Sequence, residues 1–328
     1  MKTLTLILLL IGSKLLAAEV KVRVVDETGA PVSGAETKII FVDYRSKSAV
    51  CAGNSDRNGR FDAHGNGTHS VMVKVAKKGH YFAQLEGLSR DKDHDVEVVL
   101  PRVLNPTPLY AIRKIYPKFP VQNQWVGFDF EAADWVAPHG KGKTADLLFR
   151  FKNEFKGWRD GIEKELDQLI AESRDLAKIR KDEWTMERFK TMAGKWDGEM
   201  QISFPGGGEG LLEERRFLSY SRLKMPHAAP ADGYVSTWLY EASSYHYPIT
   251  RENVGFFLRT RVKRDGQGKI ISANYAKVIG DFQLTASEGN VTFTYYFNPV
   301  PNDRNLEFSQ DNLMKEPKHG GYIFNISP

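Results

Sequence analysis

The alternation of apolar and polar residues between Asn253 and Phe308 constrains this chain more than any other feature. Phe256, Leu258 and Val262 fall on one parity, and Phe257, Arg259, Arg261 and Lys263 on the other, which is the two-residue period of a half-buried strand. Asp265-Gly266-Gln267-Gly268 supplies a turn, because glycine tolerates the positive φ that tight hairpins need. Ile270 to Phe282 is a second apolar-rich run, and Val291, Phe293, Tyr295 and Phe297 alternate again. Pro299 and Pro301 stop that third strand, since proline cannot donate to a sheet ladder. The stretch predicts a β-meander and carries no catalytic constellation.

The chain opens with a short basic start at Lys2, an apolar run from Leu4 to Ile11 and the small pair Ala17-Ala18. This order predicts a secretory signal peptide over residues 1–18, cleaved after Ala18. The run is shorter than the about 20 apolar residues that a membrane span needs, and no later stretch is apolar enough, so no transmembrane segment is expected after cleavage. Cys51 is the single cysteine, which excludes an internal disulfide. Export without disulfides points to a bacterial envelope, periplasmic or secreted. The whole chain carries a net charge of +5; without Lys2 and Lys14 it falls to +3. That excess is small and dispersed, where nucleic-acid binding wants a clustered basic face.

With 328 residues, two domains are expected. From Glu19 to Leu100, short alternating strands (Val20, Val22, Val24; Val71, Val73, Val75; Val96, Val98, Leu100) are separated by turn residues, the pattern of a small β-sandwich. Within it, Val24, Asp26, Gly29, Pro31, Val32, Gly34 and Ala35 are followed by Asp56, Gly59 and Phe61, and then by Lys77, Gly79 and Tyr81. This order resembles the carboxypeptidase regulatory-like module, a prealbumin-like β-sandwich. The resemblance covers residues 19–100 and implies an accessory role as spacer, stabiliser or carbohydrate binder; it implies no chemistry. Asn54 to Gly59 has the oxygen spacing of half a calcium loop, but the twelfth position is Gly65 where a bidentate Glu belongs, and a turn before a strand is the expected reading. His64 and His69 flank a glycine-containing loop with no third metal ligand in view.

Pro101, Pro106 and Pro108 mark a linker over 101–108. Beyond it, residues 109–328 hold every tryptophan and predict a larger β-rich, sandwich-like domain. Ala137 to Thr144 approaches a phosphate-binding loop, with Ala137 where the first glycine belongs and without the flanking strand and helix; a glycine-rich turn with Lys141 and Lys143 solvated is expected. Phe155, Trp158, Ile162, Leu166, Leu169, Leu176 and Ile179 recur at three- and four-residue steps, predicting an amphipathic helical insert over 152–195. The runs Ala273 to Phe282 and Asn298 to Asn305 are similar to exported bacterial proteins of unassigned function.

For function, Asp129, Glu131 and Asp134 are candidates for a glycosidase pair, yet no spacing selects two of them, and Ser-His-Asp, His-Glu-x-x-His and Cys-nucleophile patterns are absent. The balance falls against an enzyme, and no cofactor or metal is expected. Trp238, Tyr240, Tyr245, His246 and Tyr247 suit an aromatic platform for sugar C–H faces. Arg259 and Arg261, read as sharing a strand face, suit an acidic glycan or a carboxylate. The expectation is therefore an exported non-enzymatic binding or scaffold protein with carbohydrate as first ligand class. The alternatives are an envelope-protein partner docked on the 152–195 segment and a glycan-active enzyme with an unrecognised carboxylate pair.

Overall fold

A computed structural model describes residues 18–45, 47–158, 191, 194–244, 251 and 253–328. The signal peptide expected over residues 1–18 lies outside the described residues except for Ala18. All the regular elements of the described residues are strands, and they fall into two compact units.

The first unit runs to Val103 and takes in Tyr220–Arg222. It contains β1 (Ala18–Val25), β2 (Glu36–Val42), β3 (Ala49–Asn54), β4 (Arg60–Gly65), β5 (Ser70–Ala76), β6 (Ala83–Ser89) and β7 (His94–Val99). One sheet has the order β4-β1-β7 and the other β3-β2-β5-β6. The alternating valines of β1 and β5 and Ile39, Phe41 and Val98 bury against one another between the sheets, as the sequence period requires. Cys51 is a half-buried free thiol packed on this core. His64 lies 3.5 Å from Glu19 and His69 stacks on Tyr44 at 4.3 Å, so the two histidines serve different neighbours.

Two aspartates fix the turns in which the resemblance lies. Asp26 accepts hydrogen bonds from the Thr28 and Ala30 amides and the Thr28 hydroxyl. That hydroxyl, joined by Arg102, outweighs burial and holds the Asp26 carboxyl below the usual carboxylate range. Asp56 accepts from the amides of Asn58 and Arg60, the aspartate-headed turn expected in place of a calcium loop. Gly59 closes it at φ +77°, and a Cβ there would sit 2.3 Å from the Val24 carbonyl oxygen. Gly59→Ala should therefore destabilise the first unit by at least about 2 kcal/mol, read as an earlier unfolding transition in urea; an unchanged midpoint would refute the clash. A short segment from far along the chain completes this unit. The Tyr220 carbonyl accepts from the Gln84 amide, the Arg222 amide donates to the Phe82 carbonyl, and the Tyr220 ring packs on the core.

The second unit contains β8 (Thr107–Ile115), β9 (Trp125–Asp129), β10 (Asp134–Trp135), β11 (Leu147–Trp158), β12 (Gly194–Ser203), β13 (Gly210–Glu214), β14 (Thr237–Ser244), β15 (Gly255–Arg264), β16 (Ile270–Thr285), β17 (Asn290–Asn298) and β18 (Phe308–Asn312). Its five-stranded sheet runs β10-β9-β11-β12-β14 and its six-stranded sheet β13-β15-β16-β17-β8-β18. The expected meander is β15-β16-β17, with Asp265 and Gly268 in the first turn. Phe128, Phe149, Met200 and Ile202 from one sheet meet Phe256, Phe282, Phe293 and Tyr295 from the other in a single aromatic-rich core.

The helical insert is corrected where it is described. Residues 152–158 continue β11 and residues 194–195 begin β12, paired as Phe155↔Trp196 and Trp158↔Gly194. The three-residue step from Phe155 to Trp158 that suggested a helix is a strand irregularity, a register shift between Phe155 and Gly157 with Gly157 at φ +114°. The rings of Phe155 and Trp196, 5.4 Å apart, pair across strands. Ile162, Leu166, Leu169, Leu176 and Ile179 lie outside the described residues.

The far face of the six-stranded sheet is also covered. Tyr275 and Phe257 pack with Met225, Ala229 and Leu306, and Tyr296 with Phe308 and Ile326. Lys277, on the same parity of β16 as Tyr275, is fully buried there. Its ammonium lies 4.6 Å from the centre of the Tyr296 ring and makes no hydrogen bond among the described residues. Burial draws its pKa down to about 7, against a smaller opposing pull from Glu307.

Candidate functional site

The carboxylates that suggested a glycosidase are engaged in holding loops. Asp129 ends β9 and accepts from the amides of Glu131, Ala132, Lys143 and Thr144. Asp134 accepts from the amides of Trp135 and Lys141, and Lys318 Nζ and His319 Nε2 lie 3.1 and 2.7 Å from it. Burial works to raise the Asp134 carboxyl; the Lys141 amide, His319 and Lys318 together outweigh it and keep it below its ordinary value. The glycine-rich segment 137–144 thus wraps its amides around protein carboxylates, with Lys141 and Lys143 exposed. It is the turn the sequence predicts.

Arg259 and Arg261 do not share a face. The pairing of β15 with β16 shifts register after Thr260, and Arg261 takes φ +52°, so a bulge turns it to the side that Thr260 already occupies. Arg259 stacks on Tyr234 at 4.6 Å and donates to the carbonyls of Gly208 and Ala231. Arg261 reaches Asp146 through Nε at 2.8 Å and Nη2 at 2.9 Å, bonds Glu131 and covers the Phe297 ring. Asp146 has no solvent exposure and also accepts from the Phe130 amide and the Thr260 hydroxyl. Burial pushes its carboxyl up, and Arg261 opposes that. Both arginines are committed to the fold.

Trp238 and Tyr240 turn inward. Both pack against the aromatic core, and the Tyr240 hydroxyl donates to Asp281, which also binds Arg251. Tyr245, His246 and Tyr247 lie outside the described residues.

The opposite face of the five-stranded sheet presents a different set. On β9, Val126 and Phe128 are buried, which sends Trp125 outward, 43% exposed. On β11, Phe149 and Phe151 point in and Arg150 and Lys152 out. On β12, Met200 and Ile202 point in and Glu199 and Gln201 out. Pairing then aligns Trp125, Arg150, Gln201 and Leu239 in one row across four strands. Arg150 lies over the Trp125 ring at 5.1 Å and donates to Gln201 at 2.5 Å; Gln201 donates to Glu199 at 2.9 Å, and Lys152 pairs with Glu199 at 2.8 Å. The burial of Lys152 and Glu199 is incomplete, so these polar groups meet solvent. Leu239, 52% exposed, ends the row. The row and its neighbours join an aromatic ring, a chain of guanidinium, amide and carboxylate groups and an aliphatic end. Sequence reasoning passed over Trp125, although its parity, opposite to Val126 and Phe128, already placed it on the outer face.

The chain matches no protein-family model and no curated protein. Among solved structures, it is similar to the C-terminal domain of the shaft pilin SpaA from Lactobacillus rhamnosus GG, at 14% identity over 26% of this chain and 98% of that one, TM-score 0.20. A candidate carbohydrate-binding protein from Bacteroides uniformis aligns at 5% identity over 87% of this chain and 98% of that one, TM-score 0.21. A candidate membrane-associated protein of unknown function from Bacteroides fragilis aligns at 11% identity over the same shares, 87% and 98%, also at TM-score 0.21. At these scores the likenesses carry no argument about fold or function, and the architecture above rests on the chain's own strands and cores.

Proposed function

We propose that this chain is an exported, non-enzymatic glycan-binding protein of a bacterial envelope. In this reading its first unit is a carboxypeptidase regulatory-like accessory module and its ligand lies along the outer face of the five-stranded sheet. The observation that carries the reading is the row Trp125, Arg150, Gln201 and Leu239. An exposed indole offers a surface for a sugar C–H face, while fixed donors and acceptors beside it suit hydroxyls. Lys152 is paired with Glu199, so Arg150 is the one cation of the row, which suits a hydroxyl-rich chain over a polyanion. The scaffold alternative rested on a helix over 152–195, whose described ends are strand. The enzyme alternative drew on Asp129 and Asp134, which accept from backbone amides, and on Glu131, which bonds Arg261.

The test is a binding screen of purified residues 19–328 on soluble and insoluble polysaccharides, with Trp125→Ala and Trp238→Ala compared. Trp125→Ala should weaken binding about tenfold or more, near 1.4 kcal/mol, with its unfolding midpoint unchanged. Trp238→Ala should act through stability. Undiminished binding by Trp125→Ala, or no binding across the panel, would discard the site.

A further inference from the structure

A second candidate site lies within the first unit and does not depend on the sheet-face reading. The turn carrying Ser33 and Gly34 before β2 and the turn Lys77–His80 between β5 and β6 border a cleft of about 460 Å³, within the size range of small-ligand sites. Its lining combines three features. Gly34 and Ala76 contribute almost no side chain, which leaves room between the turns. Phe82 supplies an apolar wall. Lys77, Lys78 and His80 bring nitrogen donors to the same opening.

The charge balance of the cleft is positive. Glu36 is the one acidic lining residue, and Lys38 pairs with it at 2.6 Å. Lys77 donates one hydrogen bond to the Ser33 carbonyl at 2.7 Å, which ties the two turns together, and an ammonium has three donors, so two remain. Lys78 is exposed. The backbone fixes the wall: the Phe82 carbonyl accepts from the Arg222 amide and the Tyr81 amide donates to the Pro101 carbonyl.

We infer that this cleft binds a carboxylated sugar ring of the uronic-acid type, its carboxylate at Lys77 and Lys78 and its ring face against Phe82. A ring with one carboxylate uses both the cationic edge and the apolar wall, whereas a bare inorganic anion would use only the first.

The experiment is calorimetric titration of intact residues 19–328 with digalacturonic acid and with its methyl ester, at low and at high salt. The acid should bind, with affinity falling as salt rises, and the ester should bind at least tenfold more weakly. Lys78→Glu should weaken the acid at least tenfold and Lys78→Gln by less; both change an exposed side chain, and circular dichroism checks the fold. Trp125→Ala should leave this binding unchanged, which separates it from the sheet-face site. Absence of binding, equal binding of the ester, indifference to Lys78→Glu, or full displacement by inorganic phosphate would each overturn the assignment.

Discussion

Replacing Lys277 with methionine should stabilise the second unit at pH 7 by about 2–4 kcal/mol, because a buried charge without full pairing costs more than an apolar side chain of similar length. The lysine is completely buried, its ammonium makes no hydrogen bond among the described residues, and burial lowers its pKa from 10.5 to about 7. In the unfolded chain it is charged up to its ordinary pKa, so unfolding takes up a proton between pH 7 and 10.5. Each pH unit in that window is worth about 1.4 kcal/mol. The penalty is full below pH 7 and fades as pH rises toward 10.5. The advantage of Lys277→Met should follow it, large at pH 7 and small at pH 10. Denaturant unfolding of both proteins at the two pH values measures this. A gain that does not shrink with pH, or no gain, would mean that the amine is satisfied in solution.

Arg261→Leu should have the opposite sign and comparable size, a loss of about 3–5 kcal/mol, because it strands a buried carboxylate. Asp146 has no solvent exposure, and Arg261 supplies two of its four hydrogen bonds. Burial already raises the Asp146 carboxyl, and removing the guanidinium raises it further. A carboxyl with a folded pKa above its unfolded value carries its penalty when ionised, and the penalty is relieved as pH falls through the folded pKa. The deficit of Arg261→Leu should therefore narrow as the pH falls through the raised folded pKa of Asp146. In the double variant Arg261→Leu, Asp146→Leu, the loss should be smaller than the two single losses added together. Additive losses would show that the pair does not act as a unit.

These two residues also mark where the sequence stops being legible. The meander, the first sandwich and the aspartate-headed turns follow from period and turn chemistry, since Val20, Val22 and Val24 alternate on β1 and Val291, Phe293 and Tyr295 on β17. Arg261 misleads because a single bulge after Thr260 reverses its face, and nothing local in Arg-Thr-Arg announces a bulge. Lys277 lies within the apolar-rich run of residues 270–282, and its sheet is covered on both faces, so parity does not tell solvent from interior. Phe155 and Trp158 imitate a helical step for the same reason: one register shift converts a spacing of two into three. The row on the outer sheet face needs the pairing of four strands, two of them separated from their neighbours by long stretches of chain. Only the parity of Trp125 was visible beforehand.

Tyr220 has a consequence for the order in which the protein is made. The first unit precedes the second along the chain, yet its core is finished by a ring 121 positions beyond Val99, whose amide donates to the Tyr220 hydroxyl at 3.1 Å. Until that ring is synthesised, β6 keeps an unfilled edge, and such edges are open to pairing with other chains. The early sandwich therefore spends its synthesis in a provisional state, and its last contact waits for about half of the second unit's sequence to appear. A nascent chain halted before residue 220 would be less resistant to protease in its first hundred residues than one halted after 222.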